Sequence, residues 1–129
     1  MRNPFNPGDQ KRYSVRVSSD KIARFKSGIV HPVYSTFALG QDAEWACRLF
    51  VLDMKEPHEE GIGTYLSVNH ISPAKLGSNV TIIATLEGVE GNSVICTYQA
   101  FVGGRLIAEG EQIQKIISKE KLRRILTNA

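Results

Sequence analysis

A carboxylate, a hydroxyl and an imidazole occupy positions from which they could share one reaction: Glu44, Thr36 and His70. Thr36, Gly40 and Glu44 are spaced i, i+4, i+8, so on a helix they form a single track with a polar group at each end and a gap between. A thin ligand group could lie over Gly40, a residue that costs about 1 kcal/mol relative to alanine inside a helix. Glu44 is flanked by Ala43, Trp45 and Ala46 at the edge of an apolar face. In a dry cleft it would be a general base or a nucleophile. His70 shares a strand face with Leu66 and Val68; set against the helix track, it would be a general acid/base or a polariser of the Thr36 hydroxyl. Each residue also has a plainer structural reading. Glu44 could be a surface carboxylate, Thr36 an N-cap hydroxyl, Gly40 a point of close helix-to-sheet packing and His70 a satisfied core residue.

Other chemistries lack their residues. There is no G-x-S-x-G elbow, no H-E-x-x-H pair, no P-loop and no G-x-G-x-x-G, and Gly61-Ile62-Gly63 is too short to be a dinucleotide fingerprint. His58 lies in a charged loop, and His31 precedes the helix with no spacing that demands a role. No cluster of His, Cys, Asp and Glu has metal-ligand spacing, so neither metal nor cofactor is expected. Cys47 and Cys96 fall on separate elements and read as reduced core thiols of a reducing compartment.

The elements that must position the three residues follow from periodicity. Residues 1–11 contain Pro4 and Pro7-Gly8 and read as an irregular arm. Tyr13, Val15 and Val17 alternate, which signals a strand over 12–18. Residues 19–35 are mixed, and His31-Pro32 excludes a helix there. A helix is expected from Ser35 or Thr36 to Met54: Leu39, Ala43, Ala46, Cys47, Phe50 and Met54 form one apolar face, and Ala38, Trp45, Leu49 and Leu52 a second. A helix apolar on two sides is buried on two sides, here by a sheet and by a partner. Strands follow over 63–71, 79–87, 93–102 and 105–118, with turns at Glu90-Gly91-Asn92 and Gly103-Gly104. Gly110 is expected to mark a bulge, and Ser118 to cap a short helix over 119–126.

The chain is thus one α+β domain over residues 1–129, with antiparallel strands around one apolar helix. The N-terminus has no apolar leader segment, and no stretch approaches the roughly 20 apolar residues of a membrane span. A cytoplasmic, non-membrane protein is expected. Net charge is only +3, with Lys115, Lys119, Lys121, Arg123 and Arg124 clustered near the end. That cluster is a solvated helix face or a weak attraction for an anion. The supports for nucleic-acid binding are missing.

The order Thr36, Glu44-Trp45-Ala46-Cys47, Gly63-Thr64, His70 and Gly77, with Leu86 to Gly91 before the next strand, resembles the fluoroacetyl-CoA thioesterase-like family of hotdog proteins. The resemblance runs from Pro7-Gly8 to the last strand. It implies a hotdog fold, in which the sheet wraps the 36–54 helix, and an acyl-CoA substrate hydrolysed at its thioester. It also implies a homodimer with sites near the interface, the choice between dimer and tetramer being left open. Thr36, Glu44 and His70 match the family's catalytic threonine, glutamate and histidine, and Gly63 a glycine whose backbone lines the acyl pocket. Phe37 departs from the glycine or proline common after the threonine, and its bulk would reshape that pocket. No fluoroacetate-specific lid is legible in residues 19–35, so the fluorinated substrate is not implied. The alternative function is an acyl-CoA-binding hotdog protein without turnover. A hotdog hydratase would need an Asp–His pair on one loop-helix segment, which is absent.

Overall fold

The computed structural model describes residues 1–25 and 27–129. After an irregular arm, β1 (Gln10–Arg16) leads through a single 3₁₀ turn (Ser19–Lys21) into a hairpin of β2 (Ile22–Phe25) and β3 (Gly28–Tyr34). The long helix α1 (Thr36–Met54) follows, then β4 (Glu59–Leu66), the two-residue β5 (Asn69–His70), β6 (Asn79–Glu90), β7 (Ser93–Val102), β8 (Arg105–Ser118) and α2 (Lys119–Asn128). The main sheet runs β1-β6-β7-β8-β4, antiparallel throughout, with β5 extending the pairing of β8. It curls around α1, giving the hotdog arrangement that the resemblance implies.

Strand alternation fixes the inner face. Val80, Ile82, Ala84 and Leu86 of β6, and Val94, Cys96, Tyr98 and Ala100 of β7, are all buried. They pack with Leu39, Ala43, Ala46, Cys47, Phe50 and Met54 of α1 in one cluster. This is the face expected from helical spacing, and each large side chain withdrawn from water there contributes about 1.5–3 kcal/mol. The arm is tied down as well: Phe5 meets Phe50 edge-on at 5.0 Å, and the Arg2 N–H donates to the Met54 carbonyl at 2.8 Å. The second apolar set of α1 divides. Ala38 is buried, whereas Trp45 and Leu52 stay 42% and 40% exposed.

Local expectations change in three places beyond shifts of element ends, such as β1 running from Gln10 to Arg16 and β6 reaching Glu90. Residues 19–35 carry the β2–β3 hairpin, which short strands and an internal Pro32 concealed; Lys26 lies outside the described residues. The single strand expected over 63–71 breaks at Ser67-Val68 into β4 and β5, because the Ser67 carbonyl turns to accept from the Tyr98 hydroxyl at 2.8 Å. Gly110 is not a bulge: its register with Tyr98 continues unbroken on both sides. A Cβ there would stand 2.0 Å from the Ser67 carbonyl oxygen. Glycine is needed because the β4–β5 crossover lies directly on β8. The bulge of β8 falls instead between the Phe101↔Leu106 and Ala100↔Ala108 pairs.

Gly110→Ala is therefore expected to destabilise the chain by about 3 kcal/mol, the upper range for overpacking, since backbone rather than a side chain must yield. Urea unfolding measures this; a loss under about 1 kcal/mol would mean that the crossover is free to shift.

Candidate active site

The first turn of α1 places the hydroxyl. Ser35, not Thr36, is the N-cap, its side chain accepting from the Ala38 N–H at 3.0 Å. Thr36 is thereby released from capping, and its Oγ1 lies 2.9 Å from Nδ1 of His70. His70 reaches it from β5, whose pairing with β8 through His70↔Ala108 fixes the strand. The His70 Nε2 is buried and has no partner among the described residues. Desolvation lowers the pKa of the ring below the ordinary 6.5, against a smaller opposing effect of the Ser72 backbone. At neutral pH the ring is therefore uncharged and keeps one basic nitrogen.

Glu44 lies two turns along the helix, about 12 Å by axial rise. Its side chain is half-buried, and Oε1 accepts from Nε2 of Gln112 at 3.2 Å. Gly63 of β4 makes that position available, since a Cβ at 63 would come within 2.5 Å of the same Oε1. A groove of about 350 Å³ runs between the two polar ends. Thr36, Gly40, Gln41 and Glu44 form its helix wall, Leu66 and Val68 the opposite one, and Phe37 stands beside the mouth, 85% exposed. Thr36 and Glu44 thus face one hollow. His70 does not line it; beyond its contact with Thr36 it borders a separate, smaller hollow with Ile71, Ser72 and Pro73. Gly40 forms part of the floor, its missing Cβ 3.2 Å from Leu66 Cδ2 and 3.4 Å from Val68 Cγ2.

Such a site offers a carboxylate, a hydroxyl bonded to a neutral imidazole, and an apolar wall. A helix N-terminus beside Thr36 adds backbone N–H groups and the positive end of the dipole. Periodicity did not point to Gln112, Gln114 or Arg48, which surround Glu44 on its buried side. The only signal for them is a pair of glutamines two apart on a strand. No three His, Cys, Asp or Glu side chains gather into a metal site among the described residues.

The family model for the fluoroacetyl-CoA-specific thioesterase matches residues 17–120. The chain belongs to that family. A curated member, the fluoroacetyl-CoA thioesterase of Streptantibioticus cattleyicolor, is 33% identical over 78 residues, which are 60% of this chain and 56% of that protein. The match thus spans little more than half of the relative's length. Among solved structures, a Thermus thermophilus protein described as a thioesterase superfamily member superposes with a TM-score of 0.92 at 33% identity, covering 97% of this chain and 93% of that one. A variant of the fluoroacetyl-CoA-specific thioesterase in complex with fluoroacetate and CoA superposes with a TM-score of 0.84 at 27% identity, covering 92% and 99%. In this chain the hollow lies along the α1–β4 seam.

Because the folded chain holds His70 below 6.5 while the unfolded chain does not, the unfolded state binds more protons just below that value. Folding stability is expected to fall as pH drops through that window, and His70→Gln to flatten the dependence. An NMR titration of the imidazole with a midpoint at or above 6.5 would contradict this.

Proposed function

We propose that this chain hydrolyses the thioester of an acyl-coenzyme A to the free acid and coenzyme A. Family membership and the superposition on a relative holding fluoroacetate and CoA support the reaction class. The observation that carries the site is the 2.9 Å contact between Thr36 and His70 at one end of a groove whose other end bears Glu44. The thioester carbonyl lies in the groove; the Glu44 carboxylate draws a proton from an attacking water, or attacks the carbonyl itself to give an anhydride that water then hydrolyses to the free acid, and on either route the C–S bond breaks and coenzyme A leaves as its thiol once protonated. Thr36 hydrogen-bonds the reacting groups, and the neutral His70 in contact with it takes up or returns the proton. N–H groups at the start of α1, or near Gly63, receive the developing oxyanion; one such donor is worth about 2.7–4 kcal/mol of barrier. Phe37 borders the mouth and limits the acyl group.

The working form is a homodimer. Among the described residues β4 ends the sheet, bonded to β8 on one side only. Beside that edge, Phe37, Trp45 and Leu52 follow one stripe of α1 and remain exposed, as do Tyr65 and Leu66 of β4. An exposed strand edge next to apolar surface is a template for pairing with another chain, and a second copy set there would border the groove. The buried free thiols of Cys47 and Cys96 suit a reducing, cytoplasmic setting.

Thiol release from a panel of acyl-CoAs tests the reaction. Glu44→Ala and His70→Ala are each expected to lose at least about 100-fold in kcat/KM, the scale of general acid–base catalysis. Gly63→Ala is expected to lose tenfold or more with little change in stability, since only a flexible carboxylate must move aside. Wild-type turnover in the Glu44 and His70 variants would exclude this site, and tight acyl-CoA binding without thiol release would exclude hydrolysis. Sedimentation tests the assembly: the protein should run at twice the 14.3 kDa chain mass, and Trp45→Glu with Tyr65→Arg should return it to a monomer. A wild-type monomer would overturn the dimer.

A further inference from the structure

Two glutamines project from β8 into the core behind Glu44, Gln112 and Gln114, each 1% exposed. Burying an amide is costly unless its donors and acceptor are met, and both are met in a directed order. Arg48 of α1 donates through Nη1 to Gln114 Oε1 at 3.2 Å and to the Gly61 carbonyl at 3.0 Å. Its Nη2 is anchored on Glu60 Oε1 at 2.6 Å. Gln114 Nε2 donates to Gln112 Oε1 at 2.9 Å and to the Glu44 carbonyl at 3.4 Å. Gln112 Nε2 donates to Glu44 Oε1 and to the Ile113 carbonyl, both at 3.2 Å.

The direction of this chain is not arbitrary. A guanidinium has five donors and no acceptor, so Gln114 must turn its oxygen toward Arg48 and its NH₂ toward Gln112. Gln112 must then turn its oxygen toward Gln114 and its NH₂ toward the carboxylate. We propose that the Arg48–Gln114–Gln112 chain is a positioning relay that presents a donor to Glu44 Oε1, holds that oxygen on the wall and leaves the other for the acyl thioester. This rests on the reading of Glu44 as the reacting carboxylate. Arg48, Gln114 and Gln112 do not touch substrate; they act through Glu44.

Two substitutions at one position separate polarity from packing. Gln114→Glu keeps the shape and the bond to Arg48 but removes the donor, so Gln112 must flip and turn its oxygen on Glu44. Gln114→Met leaves Gln112 free. Thiol-release kinetics and melting temperature are measured on the same preparations. The relay requires kcat to fall at least tenfold in Gln114→Glu, less in Gln114→Met, with KM within twofold in both. A role in packing alone gives the opposite order, because glutamate preserves the arginine contact. That order, or wild-type kcat in both, overturns the relay. Should either variant fail to fold, Gln112→Met replaces it: a tenfold loss of kcat at unchanged KM supports the relay and unchanged kcat overturns it. Glu44→Gln is run alongside. Wild-type turnover there removes both the site and the relay, whereas loss there with wild-type kcat in the glutamine variants removes the relay alone.

Discussion

Close approach between α1 and β4 governs the rest of this molecule. A Cβ at Gly61 would stand 2.5 Å from Val51 Cγ1 and 3.1 Å from Arg48 Nη1, and one at Gly63 would stand 2.5 Å from Glu44 Oε1. Glycine at 61 lets the strand lie this near Val51 of the helix, and glycine at 63 leaves the Glu44 carboxylate its place. The gain is not conformational freedom, because neither glycine has a positive φ; it is space for two long polar side chains in a seam that would otherwise be filled. Packing interiors to crystal-like density leaves few such openings, so the seam is where a small ligand group could meet a carboxylate.

Polar groups in that seam must be answered from the sheet, and β8 answers them. Its pairing with β7 puts Gln112 opposite Cys96 and Gln114 opposite Val94, both inward residues. Hydrophobic side chains there would give a drier core but take from the half-buried Glu44 carboxylate its donor and from Arg48 one of its acceptors, Glu60 and the Gly61 carbonyl remaining. On the other flank Asp42, 5% exposed, takes the Tyr34 hydroxyl and the Lys21 ammonium, the latter at 3.0 Å, and so fastens the β2–β3 hairpin to the helix. α1 is thus pinned by polar ties on two sides and by hydrocarbon on the side between.

What was legible in the sequence follows the strength of periodicity. β6, β7 and α1 carry long, regular apolar patterns, and their core-facing residues were readable, as were the bounds of β7 and α1, whereas β6 runs three residues past its expected end to Glu90. The hairpin over residues 22–34 was not, because four- and seven-residue strands with an internal proline carry too few repeats. Thr36, Glu44 and His70 were picked out as polar residues on apolar faces. That His70 stands outside the groove depends on the break at Ser67-Val68, which rests on contacts of Ser67 with Tyr98 and Glu111 that periodicity does not show. Gln112 and Gln114 were hidden for a definite reason. Counting back from the Gly103-Gly104 turn in simple register sets Glu111, not Gln112, opposite Cys96. The one-residue bulge beyond Leu106 reverses the phase, and a slip of one residue sends every side chain to the other face.

That bulge ties the last stages of the fold to the chemistry available. Without it β8 would turn Glu111, Ile113 and Lys115 inward: two charges and one apolar group where the seam needs amides. With it the charges face water and two neutral side chains, each both donor and acceptor, face the helix. An amide passes hydrogen-bond direction along without carrying net charge, so the partner of the Glu44 carboxylate adds no cation beside it, and the cation that sets the direction stays beside Glu60, where solvent shares its cost. Arg48 is consequently near enough to dictate orientation and is already neutralised by its own carboxylate. The carboxylate at 44 is then held in place by a neutral amide rather than by an ion pair.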